Sequence, residues 1–174
     1  MLVVYGFHPE EPLAEEIGEN LTEWKQEGVE VTKFRPSFMP DNLHRLPEKE
    51  AVEITFKGKR ELRNYVNEMY GKVGFVLDLH ETPLIIMNKR PQYEICFPSY
   101  NLRLRKSFET FAKNYRERVW LFGDRPKGFP CYDAAAIEYY SRIKTDNKLR
   151  TLSKKQGMQF AKDVIDHLLF HYLT

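Results

Sequence analysis

Short apolar runs recur along the chain and are separated by segments in which apolar residues follow helical spacing. Alternating or continuous apolar runs predict strands at residues 2–7, 29–34, 51–56, 73–79, 93–97, 119–122 and 134–139. Helical spacing, with glycine stops after the first two segments, predicts helices at residues 11–26, 59–70, 102–116 and 153–172. Strands that alternate with helices predict an α/β fold, with a mixed, largely parallel sheet and helices on both faces.

Composition narrows the class of protein. A chain of 174 residues, 42% of them hydrophobic, has enough apolar side chains for one core, so we expect a single domain over residues 1–174. The formal net charge of +2 gives no general attraction to nucleic acid or to an acidic membrane, and we expect neither partner. Two cysteines, Cys96 and Cys131, and the lack of a membrane span or signal segment predict free thiols and a cytoplasmic location.

Ionisable residues close several of the apolar runs. His8 and Glu11 form an H-x-x-E pair after the first strand, and His80 ends the run Gly74-Phe75-Val76-Leu77-Asp78-Leu79. Sites in such sheets form outside the carboxyl ends of the strands, so we expect these three side chains to meet. Two imidazoles and one carboxylate are a three-ligand set for one Zn²⁺, and they leave a fourth position for water.

Two further carboxylates lie inside apolar strands. Asp78 interrupts a continuous apolar run, and we expect it to accept the second ring N–H of a ligand histidine and so to fix its tautomer. Glu138 follows the small residues Ala134-Ala135-Ala136, where an ionised group is costly unless it faces a polar cleft. A glutamate beside an activated water can take its proton and deliver it to a leaving amine.

The ordered motifs resemble a known family. H-x-x-E at His8 and Glu11, then D-L-H ending at His80, then a lone glutamate, Glu138, in a late apolar strand is similar to the zinc carboxypeptidases. The likeness is greatest to their succinylglutamate desuccinylase/aspartoacylase branch and spans roughly residues 1–140. It implies a zinc-dependent hydrolase that cleaves the amide bond of an N-acyl amino acid or a C-terminal peptide bond, with Glu138 as the general base.

The proline-rich segment 35–49 has a partial counterpart in that family. The run Asp41-Asn42-Leu43-His44-Arg45 compares with the family's D-L-N-R stretch, with histidine where asparagine is expected. The resemblance assigns Arg45, and with it Arg35, to the substrate, since a guanidinium fork matches a carboxylate. Both arginines are equally compatible with a solvated loop.

Two alternative functions stay open. The chain lacks the C-terminal β-rich domain of the aspartoacylase-like members, so we expect a site that is open or completed by another subunit of a homo-oligomer. A catalytically silent metal- or ligand-binding module with the same fold would carry the same ligands.

The basic segment 102–118 could contact phosphates, although its interspersed Glu109 and Glu117 are more typical of a solvated helix. His167 and His171 are spaced i, i+4, but no third ligand accompanies them.

Overall fold

The computed structural model describes residues 1–82, 85–86, 91–117, 119–123, 133–144 and 148–174, and only the backbone at residues 44, 85 and 86. Six strands form the main sheet: β1 (Leu2–Tyr5), β2 (Glu30–Lys33), β3 (Val76–Thr82), β5 (Tyr93–Cys96), β6 (Val119–Phe122) and β7 (Ala134–Tyr140). Their order is β2-β1-β3-β7-β5-β6, and every neighbouring pair is parallel except β5 with β7. The predicted mixed, largely parallel sheet is confirmed.

A second, smaller sheet was not predicted. It contains β4 (Ile85–Ile86), β8 (Arg142–Lys144) and β9 (Leu149–Thr151), in the order β4-β8-β9. These strands have two or three residues each, too few for an alternating pattern to appear in the sequence.

Four helices cover the main sheet: α1 (Pro12–Glu23), α2 (Glu48–Tyr70), α3 (Leu102–Asn114) and α4 (Lys154–His171). Apolar residues of α1, α3 and α4 pack with those of one sheet face in the larger core. Leu62 and Val66 of α2 pack on the opposite face, so helices lie on both faces as predicted. Among the described residues, no helix has the length and apolar content needed to span a membrane.

The strand predicted at residues 51–56 is wrong, because the segment is the first half of α2. Its alternation of apolar and polar residues resembles a strand, but Ala51, Ile54 and Gly58 also fall at helical spacing and continue into Leu62. This longer stripe faces the sheet, whereas Val52 is 45% exposed. Burial along 23 residues outweighs the local strand preference of a six-residue segment.

Alternation along β3 sends consecutive side chains to opposite faces of the sheet. Leu77 and Leu79 belong to the core beneath α1, α3 and α4, whereas Val76 belongs to the core beneath α2. Asp78 and His80 are therefore on the α2 face, and Glu81 is on the other. All of these side chains are buried, which agrees with a central strand covered on both faces.

Candidate metal centre

The first strand ends in a turn that brings two candidate ligands back across the sheet edge. Gly6 has a φ of 78°, a backbone conformation that L-residues rarely adopt, and it lets the chain leave β1 sharply. In the loop that follows, Nδ1 of His8 lies 2.7 Å from Oε1 of Glu11. Glu11 is 2% exposed, so its carboxylate is held inside the protein.

His80 joins this pair from the neighbouring strand β3. Its Nδ1 lies 3.4 Å from Oε1 of Glu11, and its ring centroid is 5.1 Å from that of His8. One ligand atom from each of His8, Glu11 and His80 lies within 4.8 Å of the other two. Bonds of about 2.0–2.1 Å in a tetrahedral site would separate ligand atoms by roughly 3.4 Å. The separations here run from 2.7 Å to at most 4.8 Å, so the three side chains can hold a metal ion after small shifts.

Asp78 lies on the far side of the His80 ring. Its Oδ2 is 2.8 Å from Nε2 of His80, the nitrogen that points away from Glu11. Asp78 therefore occupies the position from which a carboxylate fixes the tautomer of a ligand imidazole, leaving Nδ1 directed at the cluster.

Lys59 of α2 is a cation that the sequence did not reveal. Its Nζ contacts Oδ2 of Asp78, lies 3.3 Å from Nε2 of His80, and lies 4.4 Å from the centroid of the Phe7 ring. Lys59 reaches this position because α2 approaches the sheet edge closely at Gly58. A Cβ on Gly58 would lie 2.8 Å from the Phe7 ring, so this position requires glycine.

Acidic and basic side chains alternate through the cluster, and each one shifts the pKa of its neighbours. Burial opposes the charge of Glu11, but His80 and His8 outweigh it and lower the pKa of Glu11 to about 2. Burial likewise opposes charge on His80, yet Asp78 and Glu11 raise its pKa to about 10. The pKa of Asp78 is lowered, because His80 and Lys59 outweigh its burial. The pKa of His8 is lowered, chiefly by burial.

The donor set fits a zinc ion. Nitrogen and carboxylate oxygen are both zinc ligands, and three of them leave one position open. Among the described residues, no hydrogen-bond partner reaches the buried Oε2 of Glu11. A buried carboxylate oxygen without a donor is costly, and a bound cation would remove that cost. Because the pKa of His80 is raised, a cation binding there would displace a proton.

Glu138 lies next to this cluster on β7. It is the register partner of His80 on β3, so both side chains leave the same face of the sheet. Oγ1 of Thr82 donates a hydrogen bond of 2.5 Å to Oε1 of Glu138, which is 6% exposed. Glu94 of β5 is the next register partner, and its Oε2 accepts a hydrogen bond from Tyr140. A row of polar side chains thus crosses three strands.

The two candidate substrate arginines differ in position. Arg35 donates from Nε to the carbonyl oxygen of Gly6, 3.3 Å away, and pairs with Glu15 at 3.4 Å, so it lies near the turn that carries His8. Arg45 ends a short 3-10 turn, Leu43–Arg45, and is exposed. Its backbone N–H donates to the carbonyl oxygen of Asn42, 2.8 Å away, but within the described residues its side chain makes no hydrogen bond or ion pair.

The other residues named from the sequence lie elsewhere. Nε2 of His167 is 2.9 Å from Oγ and 3.0 Å from the carbonyl oxygen of Ser107, so this histidine joins α4 to α3. His171 is exposed at the end of α4. Cys96 is buried, with its Sγ 3.3 Å from Oε1 of Glu94, and Cys131 lies outside the described residues.

Sequence reasoning missed Lys59, Glu81 and Thr82. Glycine inside a helix costs about 1 kcal/mol, so Gly58 was a signal that α2 approaches another element closely. Thr82 shares the strand alternation of His80, and Glu81 is an acid within a buried strand. Nothing in the sequence distinguishes Lys59 from the other lysines of α2.

No family model matches the chain, and no curated protein matches it. Among solved structures, the CwlD amidase from Clostridioides difficile, determined in complex with the GerS lipoprotein, is similar, with a TM-score of 0.41 and 10% sequence identity. The match covers 79% of this chain and 80% of that chain. At this score the likeness assigns neither a family nor an activity, and membership of the zinc carboxypeptidases stays a prediction.

Proposed function

We propose that the chain is a zinc-dependent hydrolase that cleaves an amide bond, either in an N-acyl amino acid or at the carboxyl end of a peptide. The observation that carries the proposal is the convergence of His8, Glu11 and His80, whose ligand atoms lie within 4.8 Å of one another. Two of these residues follow β1 and the third lies on β3, so the cluster depends on the tertiary fold and not on one short segment.

Each protein group has a defined task in the proposed reaction. His8, Glu11 and His80 would hold the zinc ion, which when bound supplies a Lewis acid for the activation of water and the carbonyl group. Asp78 would orient His80 through the 2.8 Å contact with Nε2. Glu138 would take a proton from the attacking water and pass it to the leaving amine. The hydrogen bond from Thr82 would hold the Glu138 carboxylate in a fixed orientation.

The proposed substrate is a small acyl-amino-acid or a peptide with a free carboxylate. Arg45 is the first candidate for binding that carboxylate, because it is exposed and makes no ion pair among the described residues. Arg35 is the second, and it would have to leave Glu15. We also propose that the chain forms one domain as a compact relative of the succinylglutamate desuccinylase/aspartoacylase branch, with a site that is open or completed in a homo-oligomer.

Hydrolysis of a substrate panel tests this function. The panel contains N-acyl amino acids and short peptides with free carboxyl ends, and the protein is assayed as purified, after chelation and after zinc is restored. We expect hydrolysis that disappears with chelation and returns with zinc. A zinc-loaded protein that is inactive across the panel would favour the silent metal-binding module, and activity unaffected by chelation would exclude a zinc mechanism.

A further inference from the structure

The first helix begins at a residue whose side chain is turned away from the helix. Glu11 immediately precedes α1 and so occupies the position whose side chain usually accepts a hydrogen bond from the first N–H groups. Its carboxylate makes no such bond, because Oε1 faces His8 and His80 instead. The start of α1 therefore needs an acceptor from another part of the chain.

Glu81 supplies that acceptor from β3. Its Oε2 accepts hydrogen bonds from the backbone N–H groups of Leu13, at 2.6 Å, and Ala14, at 3.4 Å. Pro12 has no N–H group, so Leu13 and Ala14 carry the first donors of the helix. Glu81 is 3% exposed, and its negative charge is favoured at a helix amino terminus.

This cap connects two candidate metal ligands through very short stretches of backbone. Glu81 follows His80 directly, and alternation along β3 sends its side chain to the opposite face of the sheet. Leu13 is two residues after Glu11. The hydrogen bond between Glu81 and Leu13 therefore closes a rigid link from the backbone of His80 to that of Glu11.

We propose that Glu81 is a positioning residue for the candidate metal centre, holding Glu11 and His80 at the separation that metal binding requires. The inference rests on the proposed function in that it takes His8, Glu11 and His80 as the ligands. It goes further by assigning a task to a buried carboxylate that touches none of them through its side chain. It also explains how Glu11 can serve the cluster while α1 keeps a capped amino terminus.

Zinc affinity distinguishes positioning from simple helix stabilisation. Glu81→Leu removes the acceptor, Glu81→Gln keeps an amide oxygen that can accept the same bonds, and Glu81→Asp shortens the side chain by one methylene. Ser153→Ala is the matched control, because Ser153 caps α4, which carries none of the ligands, and its Oγ accepts a hydrogen bond from the Gln156 N–H. Each variant is measured by competition with a chromophoric zinc chelator and, in separate metal-free samples, by urea unfolding.

We expect Glu81→Leu to weaken zinc binding by roughly 10- to 100-fold, the usual effect of losing a group that orients a ligand. Glu81→Gln should stay within a few-fold of the wild type, and Glu81→Asp should fall between them. Ser153→Ala should lower stability and leave zinc affinity unchanged. If Glu81→Leu does not fold, the zinc affinity of Glu81→Asp is the deciding measurement. Wild-type affinity in a destabilised Glu81→Leu or Glu81→Asp protein would overturn the inference and leave Glu81 as a helix cap only.

A metal-free measurement separates this inference from the proposed function. The ring proton resonances of His8 and His80 are recorded by NMR in the presence of a chelator. We expect Glu81→Leu to shift or broaden both sets of resonances and Ser153→Ala to leave them in place. If the wild type binds no zinc but the resonances respond to Glu81, the metal function fails and the positioning role stands. Unchanged resonances in Glu81→Leu would overturn the positioning role itself.

Discussion

His80 and Glu138 are register partners on the adjacent parallel strands β3 and β7, and both side chains leave the sheet on the α2 face. Adjacent strands lie about 4.8 Å apart, so the candidate base is one strand spacing from a candidate ligand. This relationship links the metal cluster to the proposed proton transfer. Because Glu138 is not one of the three candidate ligands, a substitution there tests proton transfer separately from metal binding.

Glu138→Gln should abolish most hydrolysis and leave the metal centre intact. The amide keeps the size of the side chain and can still accept the hydrogen bond from Thr82, but it cannot take a proton from water. We expect the rate of hydrolysis to fall by roughly 10²- to 10⁴-fold. Zinc content and the melting temperature should stay close to those of the wild type. A variant with wild-type activity would remove Glu138 from the mechanism.

Lys59→Met should destabilise the protein, because it removes one of the two cationic groups that contact the buried Asp78, the other being His80. Asp78 is 0% exposed but keeps His80 as a partner, so we expect the loss of stability to be smaller than the about 3–5 kcal/mol that a fully unpaired buried charge costs. The measurement is urea unfolding of the metal-free protein. Lys57→Met, two residues earlier on the exposed side of α2, is the control and should change the free energy of unfolding by less than about 1 kcal/mol. Equal effects of the two substitutions would contradict the role given to Lys59.

The fold was largely predictable because its central strands are continuous apolar runs. The strand predicted at residues 134–139 misses β7 by one residue, whereas the strand predicted at residues 73–79 is displaced by three residues from β3 and stops short of His80. The error at residues 51–56 arose because a six-residue window shows alternation, whereas the helical stripe is visible only over the whole of α2. A short window of sequence could not show whether the two-residue period of a strand or the 3.6-residue period of a helix would face the core.

The candidate site was predictable only where its residues lie near the carboxyl ends of strands. His8 and Glu11 follow the carboxyl end of β1, His80 lies two residues before that of β3, and the carboxyl ends of parallel strands lie at one edge of the sheet. Lys59 could not be found in this way, since its position depends on how closely α2 approaches Phe7 at Gly58. The hydrogen bonds of Glu81 depend on the separation between α1 and β3, which no spacing in the sequence encodes.

The metal-free protein should be most stable between about pH 4.5 and 6.5 and should lose stability below and above this range. Burial raises the pKa of Glu11, but His80 and His8 lower it more, from 4.5 to about 2. Its contribution is present above pH 4.5 and is lost as the pH falls toward 2. Burial lowers the pKa of His80, but Asp78 and Glu11 raise it more, from 6.5 to about 10. That contribution is present below pH 6.5 and is lost as the pH rises toward 10.

Urea unfolding in chelator at a series of pH values checks this profile. The wild type should lose stability between pH 6.5 and 10, and His80→Ala should lack this part of the slope. Saturating zinc should also remove it, because a metal-bound imidazole carries no proton to lose. Identical alkaline slopes for the wild type and His80→Ala, both without metal, would contradict the assigned ionisation of the cluster.

Arg45→Ala should raise KM for carboxylate-bearing substrates far more than for their amidated analogues. Only the carboxylate can form a charge-assisted pair with a guanidinium, and a group that binds substrate and transition state equally changes KM with little effect on kcat. Arg35→Ala, measured with the same substrate pairs, shows which arginine carries the contact. Equal effects on both substrate types would make Arg45 an ordinary loop residue.

Zinc stoichiometry tests the central claim most directly. The wild type, His80→Ala and His171→Ala are loaded with zinc at neutral pH, freed of excess metal by gel filtration and analysed for zinc per chain. His171 is the matched control because it is an exposed histidine at the end of α4, outside the cluster. We predict one zinc per chain in the wild type and in His171→Ala, and little or none in folded His80→Ala. Equal zinc in His80→Ala and the wild type would contradict a metal centre built from His8, Glu11 and His80.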